Sequence, residues 1–124
     1  MAYQLAGISG TGTHISNTLM AIYLATGQDP ACIAENAVGF LDMEINDDDL
    51  HFSLMLPSIT VGTVGGATRL QQQSHHLEML GCKGEHSSRR LAEIICAAAL
   101  GLEISLIGAI LSNEFSSAHK KYGR

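Results

Sequence analysis

Three glycines, Gly62, Gly65 and Gly66, stand among small and hydroxylated residues in the stretch Leu56 to Leu70, LPSITVGTVGGATRL. Glycine admits positive φ and has no Cβ to hold a ligand away, so the N–H groups of such a loop can converge on a phosphate or pyrophosphate. The glycine order matches neither the P-loop nor the dinucleotide fingerprint, and a plain connector between strand and helix explains the same residues. The earlier GISGTG segment, with Gly7, Gly10 and Gly12, also has the wrong order. His14 and Asn17 are three residues apart in a helical pattern and share one face, where they can bind a substrate or cap a first turn. Asp29, directly before Pro30, has the form of a helix N-cap followed by proline at the first helical position. A carboxylate held that way can also tune a neighbouring acid or base. His75, His76, Cys82 and His86 are metal-competent types, but adjacent histidines leave a helix in different directions, and no C-x-x-C or H-x-x-x-H pair is present. No metal site is expected.

These residues must be positioned by few elements. With 124 residues and 46% hydrophobic composition, the chain forms one domain at most. A net charge of -5, few basic residues and few aromatics leave no electrostatic footprint for nucleic acid. Three widely separated cysteines, Cys32, Cys82 and Cys96, suit reduced thiols in the cytoplasm better than a disulfide framework, and no secretory signal is visible. Apolar periodicity (Ile15, Leu19, Ile22, Tyr23) predicts a helix over Thr13 to Thr26, with Gly27 as a left-handed terminator. Ala31 to Asn36 follows as a short helical piece. Val38 to Ile45 and Leu50 to Leu56 read as strands of a hairpin around the turn Asn46 to Asp49, whose aspartates lack the spacing and glycine of a calcium loop. The second strand alternates weakly, as expected of one covered on both faces. Leu70 to Leu80 reads as a helix ending at Gly81, followed by a polar connector, Cys82 to Ser88. Arg89 to Leu111 is helical and apolar nearly all round, so burial is expected. Glu103, at its middle, would cost about 2.5–3.5 kcal/mol in a bilayer, which favours a core or subunit-interface helix over a transmembrane segment. Ser112 to Arg124, carrying His119, Lys120, Lys121 and Arg124, reads as a cationic terminus. The fold class expected is α+β: helices packed on a short antiparallel β-hairpin, with a long buried C-terminal helix.

Several short segments, taken in order, resemble one family. They are T-H-I-S-N (Thr13 to Asn17), A-I-Y-L-A-T-G-Q-D (Ala21 to Asp29), L-P-S-I-T-V-G-T-V-G-G-A-T (Leu56 to Thr68), L-E-M-L-G (Leu77 to Gly81), R-L-A-E-I-I-C (Arg90 to Cys96), L-E-I-S-L (Leu102 to Leu106) and S-A-H (Ser117 to His119). Together they resemble the C-terminal part of 3-hydroxy-3-methylglutaryl-coenzyme A reductase, in its class I form. The resemblance implies that residues 1–124 are the C-terminal portion of a reductase catalytic domain, a partial large domain of that fold. It implies a two-step reduction of 3-hydroxy-3-methylglutaryl-coenzyme A to mevalonate for isoprenoid synthesis, using two NADPH and releasing coenzyme A. By the same resemblance Asp29 lies against a catalytic lysine, His119 protonates the departing thiolate, and Asn17 with His14 contacts substrate. The loop at Gly62, Thr63, Gly65 and Gly66 would take part in cofactor binding.

The departures are specific. The family's glutamate, its lysine, its D-A-M-G-M-N segment and its small inserted nucleotide-binding domain precede the matched region and have no equivalent in these residues. Ala67 stands for the third loop glycine, Leu100 and Gly101 for a small-residue pair, and the tail lacks a second histidine. The resemblance therefore implies a chain catalytically incomplete alone. It would work as a homo-oligomer or with a chain carrying the missing lysine and glutamate. The alternative is a non-catalytic binding or oligomerisation module that uses Arg89 to Leu111 as its contact surface.

Overall fold

Ile15, Leu19 and Tyr23 recur every fourth residue, and that stripe is what the first helix, α1 (Thr13–Thr26), buries. The computed structural model describes the backbone of residues 13–118 and the side chains of residues 15–113. The segment with Gly7, Gly10 and Gly12 and the tail with His119, Lys120, Lys121 and Arg124 therefore lie outside the described residues. α1 stops where its periodicity predicts. Gly27, at φ 80°, turns the chain left-handed so that the Gln28 N–H reaches the Tyr23 carbonyl at 2.8 Å, the long bond of a Schellman cap. After Asp29, a 3-10 turn (Pro30–Cys32) leads into a single-turn helix, α2 (Ile33–Asn36), which buries Ile33 and Asn36.

Strands β1 (Phe40–Asn46) and β2 (Asp49–Met55) pair antiparallel, from Phe40 opposite Met55 to Asn46 opposite Asp49. Only Asp47 and Asp48 remain in the turn, both with positive φ (52° and 71°), the form a two-residue hairpin loop takes. The pairing thus draws Asn46 and Asp49 into the ladder. At the other end, Gly39 packs too closely for a side chain: a Cβ there would lie 2.7 Å from Ile15 Cδ1 and 2.8 Å from Leu56 Cδ2. The expectation that β2 is covered on both faces is not met. One face, with Leu41, Met43, Phe52 and Leu54, turns inward, while Phe40 and Met55 are 50% and 62% exposed on the other. A two-stranded sheet has one core-facing side, and the described residues put nothing over the second.

Helix α3 (Gln71–Met79) closes with a second Schellman cap. Gly81 (φ 74°) lets the Cys82 N–H reach the Leu77 carbonyl at 2.8 Å and its own N–H reach the Glu78 carbonyl at 3.0 Å. Leu77 and Cys82 are both fully buried, the apolar contact that accompanies this motif. The long helix α4 (Ser87–Ala118) starts before Arg89 and runs past Leu111. No proline or further glycine interrupts it after Gly108 until Gly123, so nothing local stops it earlier. Leu91, Ile95 and Ala99 are fully buried, and Glu103 continues the same four-residue stripe at 6% exposed.

All-round burial of α4 is met on that face only. Leu102, Ile104, Ile110 and Leu111 are 44%, 37%, 49% and 60% exposed, because α1 and β2 are the elements that pack on α4. By length and composition alone, Ser87–Asn113 would also suffice to cross a membrane. Here it closes the core, and the architecture is α+β with a two-stranded hairpin and a long C-terminal helix. The three cysteines are free, as expected of reduced thiols, and burial pushes the Cys82 and Cys96 thiols up, away from reactive thiolate.

Candidate functional site

The C-terminal end of α1 and the glycine loop are built as one unit. A Cβ on Gly27 would lie 2.6 Å from both the carbonyl carbon and oxygen of Ala67 and 2.7 Å from the Thr68 nitrogen, so the two backbones meet without a side chain between them. Next in sequence, the buried Gln28 amide clamps Gly62 in both directions: Gly62 N–H donates to Oε1 at 2.8 Å, and Nε2 donates to the Gly62 carbonyl at 2.8 Å. Inside the loop, the Thr68 hydroxyl and backbone N–H both donate to the Gly65 carbonyl. Gly65 adopts φ 85° and ψ 175°, a conformation essentially reserved for glycine.

The start of the loop is anchored by a buried hub. Asn36 Oδ1 accepts from the Tyr23 hydroxyl at 2.6 Å and from Thr60 Oγ1 at 3.0 Å, while its Nδ2 donates to the Ser58 carbonyl at 2.5 Å. Burial, with the neighbouring Cys32 adding to it, pushes the Tyr23 phenol up to about 12, so it stays a donor at any ordinary pH. Sequence reasoning placed Tyr23 on the apolar stripe of α1 but did not single out Gln28 or Asn36. Their only sequence signal is that a polar residue lies beside the G-Q-D turn or on an otherwise apolar stripe.

Gly27→Ala is expected to destabilise the fold by about 2–4 kcal/mol, combining a left-handed alanine with overpacking against the loop. Gly62→Ala should leave the unfolding midpoint in urea unchanged, since a Cβ there meets nothing within 4 Å and Gly62 lies outside the left-handed region. The fold does not require glycine at Gly62. Open space over a glycine that the backbone does not need is what close approach of a ligand would use, so the loop fits a phosphate-bearing cofactor.

Asp29 has the N-cap geometry its sequence context predicts, with Oδ1 accepting from the Ala31 N–H at 3.0 Å. Cys32 Sγ lies 3.9 Å from Oδ2, and the carboxylate is exposed, so it remains available to a cation from outside the described residues. The G-Q-D turn is thus tied to the glycine loop through Gly27 against Ala67 and Gln28 on Gly62, with Asp29 next in sequence. Asn17 is not part of that cluster. It is exposed on α1, and the helix from Asn17 to Thr26 spans roughly 14 Å at about 1.5 Å per residue. His14 belongs to α1 by its backbone, but its side chain lies outside the described residues, as does all of His119.

Among the described residues, no three metal-competent side chains converge. His76 is occupied otherwise. Its Nδ1–H donates to the Ala25 carbonyl at 2.6 Å, and Gln73 Nε2 donates to the Leu24 carbonyl at 3.3 Å, so α3 satisfies carbonyls left open at the end of α1.

Comparison with known proteins covers the same span. A family model described as hydroxymethylglutaryl-coenzyme A reductase matches residues 1–124. The chain is similar to the 3-hydroxy-3-methylglutaryl-coenzyme A reductase of Methanocaldococcus jannaschii, at 46% identity over 93% of the chain and 28% of the relative. It is likewise similar to the Aeropyrum pernix reductase, at 40% identity over 96% of the chain and 30% of the relative. Reductase 1 of Arabidopsis thaliana is 44% identical over 94% of the chain and 21% of the relative. The chain thus spans less than a third of the length of these relatives.

Proposed function

Because the chain belongs to the hydroxymethylglutaryl-coenzyme A reductase family, we propose that it is the C-terminal portion, as one domain, of that enzyme's catalytic unit. Its work is the NADPH-dependent reduction of 3-hydroxy-3-methylglutaryl-coenzyme A to mevalonate and coenzyme A, in the cytoplasm. The observation that carries this reading is the joint between the G-Q-D turn and the glycine loop, where one backbone contact and one glutamine clamp tie the turn that bears Asp29 to a phosphate-competent loop. NADPH supplies hydride when bound. Gly62, Thr63, Gly65 and Gly66 let it approach the backbone. Asp29, whose carboxylate accepts from the Ala31 N–H and is open to solvent, holds a lysine brought by the rest of the assembly in its protonated form. Asn17 and His14, toward the other end of α1, contact the acyl group, and His119 protonates the leaving thiolate.

On this reading the exposed apolar half of α4 is covered by another copy or by the portion carrying the lysine and glutamate, rather than by lipid. The test mixes the chain with a polypeptide comprising the rest of the Methanocaldococcus jannaschii relative. The chain alone should not oxidise NADPH with the acyl-coenzyme A substrate, since no lysine polarises the carbonyl, and the mixture should. Turnover by the chain alone would remove the incompleteness. A stable assembly without turnover would favour the non-catalytic module.

A further inference from the structure

Beyond the loop backbone, a second feature lies at the glycine loop. An open concavity of about 390 Å³ is lined by Thr63, Gly65, Thr68, Arg69, Ser74 and Lys83. The chain carries a net charge of -5, yet the ionisable groups on this lining are two cations. No carboxylate among the described residues lies within ion-pair distance of either. Lys83 Nζ donates to Ser74 Oγ at 2.6 Å, which fixes the ammonium on the rim, and Arg69 ends the 3-10 turn Gly66–Arg69 whose Thr68 is buried.

Two unpaired cations with hydroxyls beside a glycine-floored hollow form a donor set for a doubly charged anion. An apolar ligand would desolvate the Arg69 guanidinium and the Lys83 ammonium with no charge to compensate either. The concavity is roomy for a phosphate and too small for a whole dinucleotide, which makes it a subsite of a larger ligand. We propose that Arg69 and Lys83 form a phosphate subsite that binds a phosphate or pyrophosphate group. Which ligand brings that group rests on the reductase reading; the subsite itself stands on the geometry.

Inorganic pyrophosphate, titrated into the 124-residue chain at low salt and followed by the amide resonances of Gly65, Thr68 and Ser74, is the direct probe. Saturable shifts at these residues are expected, with affinity falling as salt rises. Arg69→Gln with Lys83→Gln should weaken binding roughly tenfold or more, as two charge-assisted contacts are lost. Both side chains are exposed, so the unfolding midpoint should not move. Arg89→Gln, which removes a like charge at the start of α4, should leave pyrophosphate affinity unchanged. Absence of shifts, or equal weakening by Arg89→Gln, overturns the subsite.

Two ligand pairs then identify the source. NADPH and NADH differ by the 2′-phosphate, and coenzyme A and its dephospho form by the 3′-phosphate. Whichever pair loses its difference in the double variant has that phosphate seated here, and equal losses within both pairs assign a pyrophosphate. Pyrophosphate binding that neither NADPH nor coenzyme A displaces from the chain assembled with the rest of the relative would keep the anion subsite and overturn the reductase reading instead.

Discussion

Asp29→Asn, measured in the assembled reductase, is expected to slow reduction of both the thioester and the aldehyde by roughly 10 to 10³-fold near neutral pH while leaving the fold intact. Stability and charge separate cleanly at this position. The fold uses Asp29 as an N-cap, through Oδ1 and the Ala31 N–H at 3.0 Å, and asparagine keeps that acceptor and ranks with aspartate as a cap. What asparagine removes is the negative charge, which in the proposed assembly faces a lysine. An opposite charge within about 4–6 Å favours the protonated ammonium by roughly 1–3 pKa units. Without it the lysine loses its proton at lower pH, so the alkaline limb of the pH profile should move down by about that many units. Both half-reactions polarise a carbonyl, so both should suffer. An unchanged profile, or a defect in only one half-reaction, would remove the lysine partner from the account, and a lowered urea midpoint would show that the cap rather than the charge had been lost.

That Asp29 is a cap was legible because the whole motif is local: an aspartate, a proline and the N–H two residues on. The same holds for both Schellman caps, where Gly27 and Gly81 end a periodic run, and for α1, whose buried stripe is the periodicity itself. Gln28 and Asn36 were not legible, because what makes them structural is distant. Gln28 is buried by a partner 34 residues away, and Asn36 by partners up to 24 residues away, so in sequence each resembles any surface amide. α4 shows the same limit from the other side. Its composition announces that it needs covering on all faces, but composition does not name the cover, and α1 with β2 reaches only one face. The glycine loop was legible as permissive backbone, whereas the cations beside it were not. Arg69 and Lys83 line one concavity only because α3 and its Schellman cap return the connector to the loop.

His119→Gln should produce the sharpest kinetic signature: a loss of about 10²–10⁴-fold in thioester reduction with little change in reduction of the free aldehyde. Only the first reaction releases a thiolate, and only there would a proton donor to sulfur stabilise a developing charge. Histidine suits the task because its unperturbed pKa of roughly 6.5 leaves it able to give up a proton near neutrality. Glutamine keeps hydrogen-bonding ability and approximate size but cannot transfer a proton. α4 is continuous through Ala118, and its first half is anchored in the core at Leu91, Ile95 and Ala99. The difference between the native and substituted enzymes should be largest below about pH 6.5 and shrink as pH rises, because neutral imidazole has no proton to add to the sulfur beyond the one it would lose as an anion. Equal losses on thioester and aldehyde would assign His119 to general binding instead of thiolate protonation. A loss that stays constant with pH would count against the imidazolium as the donor, and full activity in both steps would leave the histidine without a catalytic role.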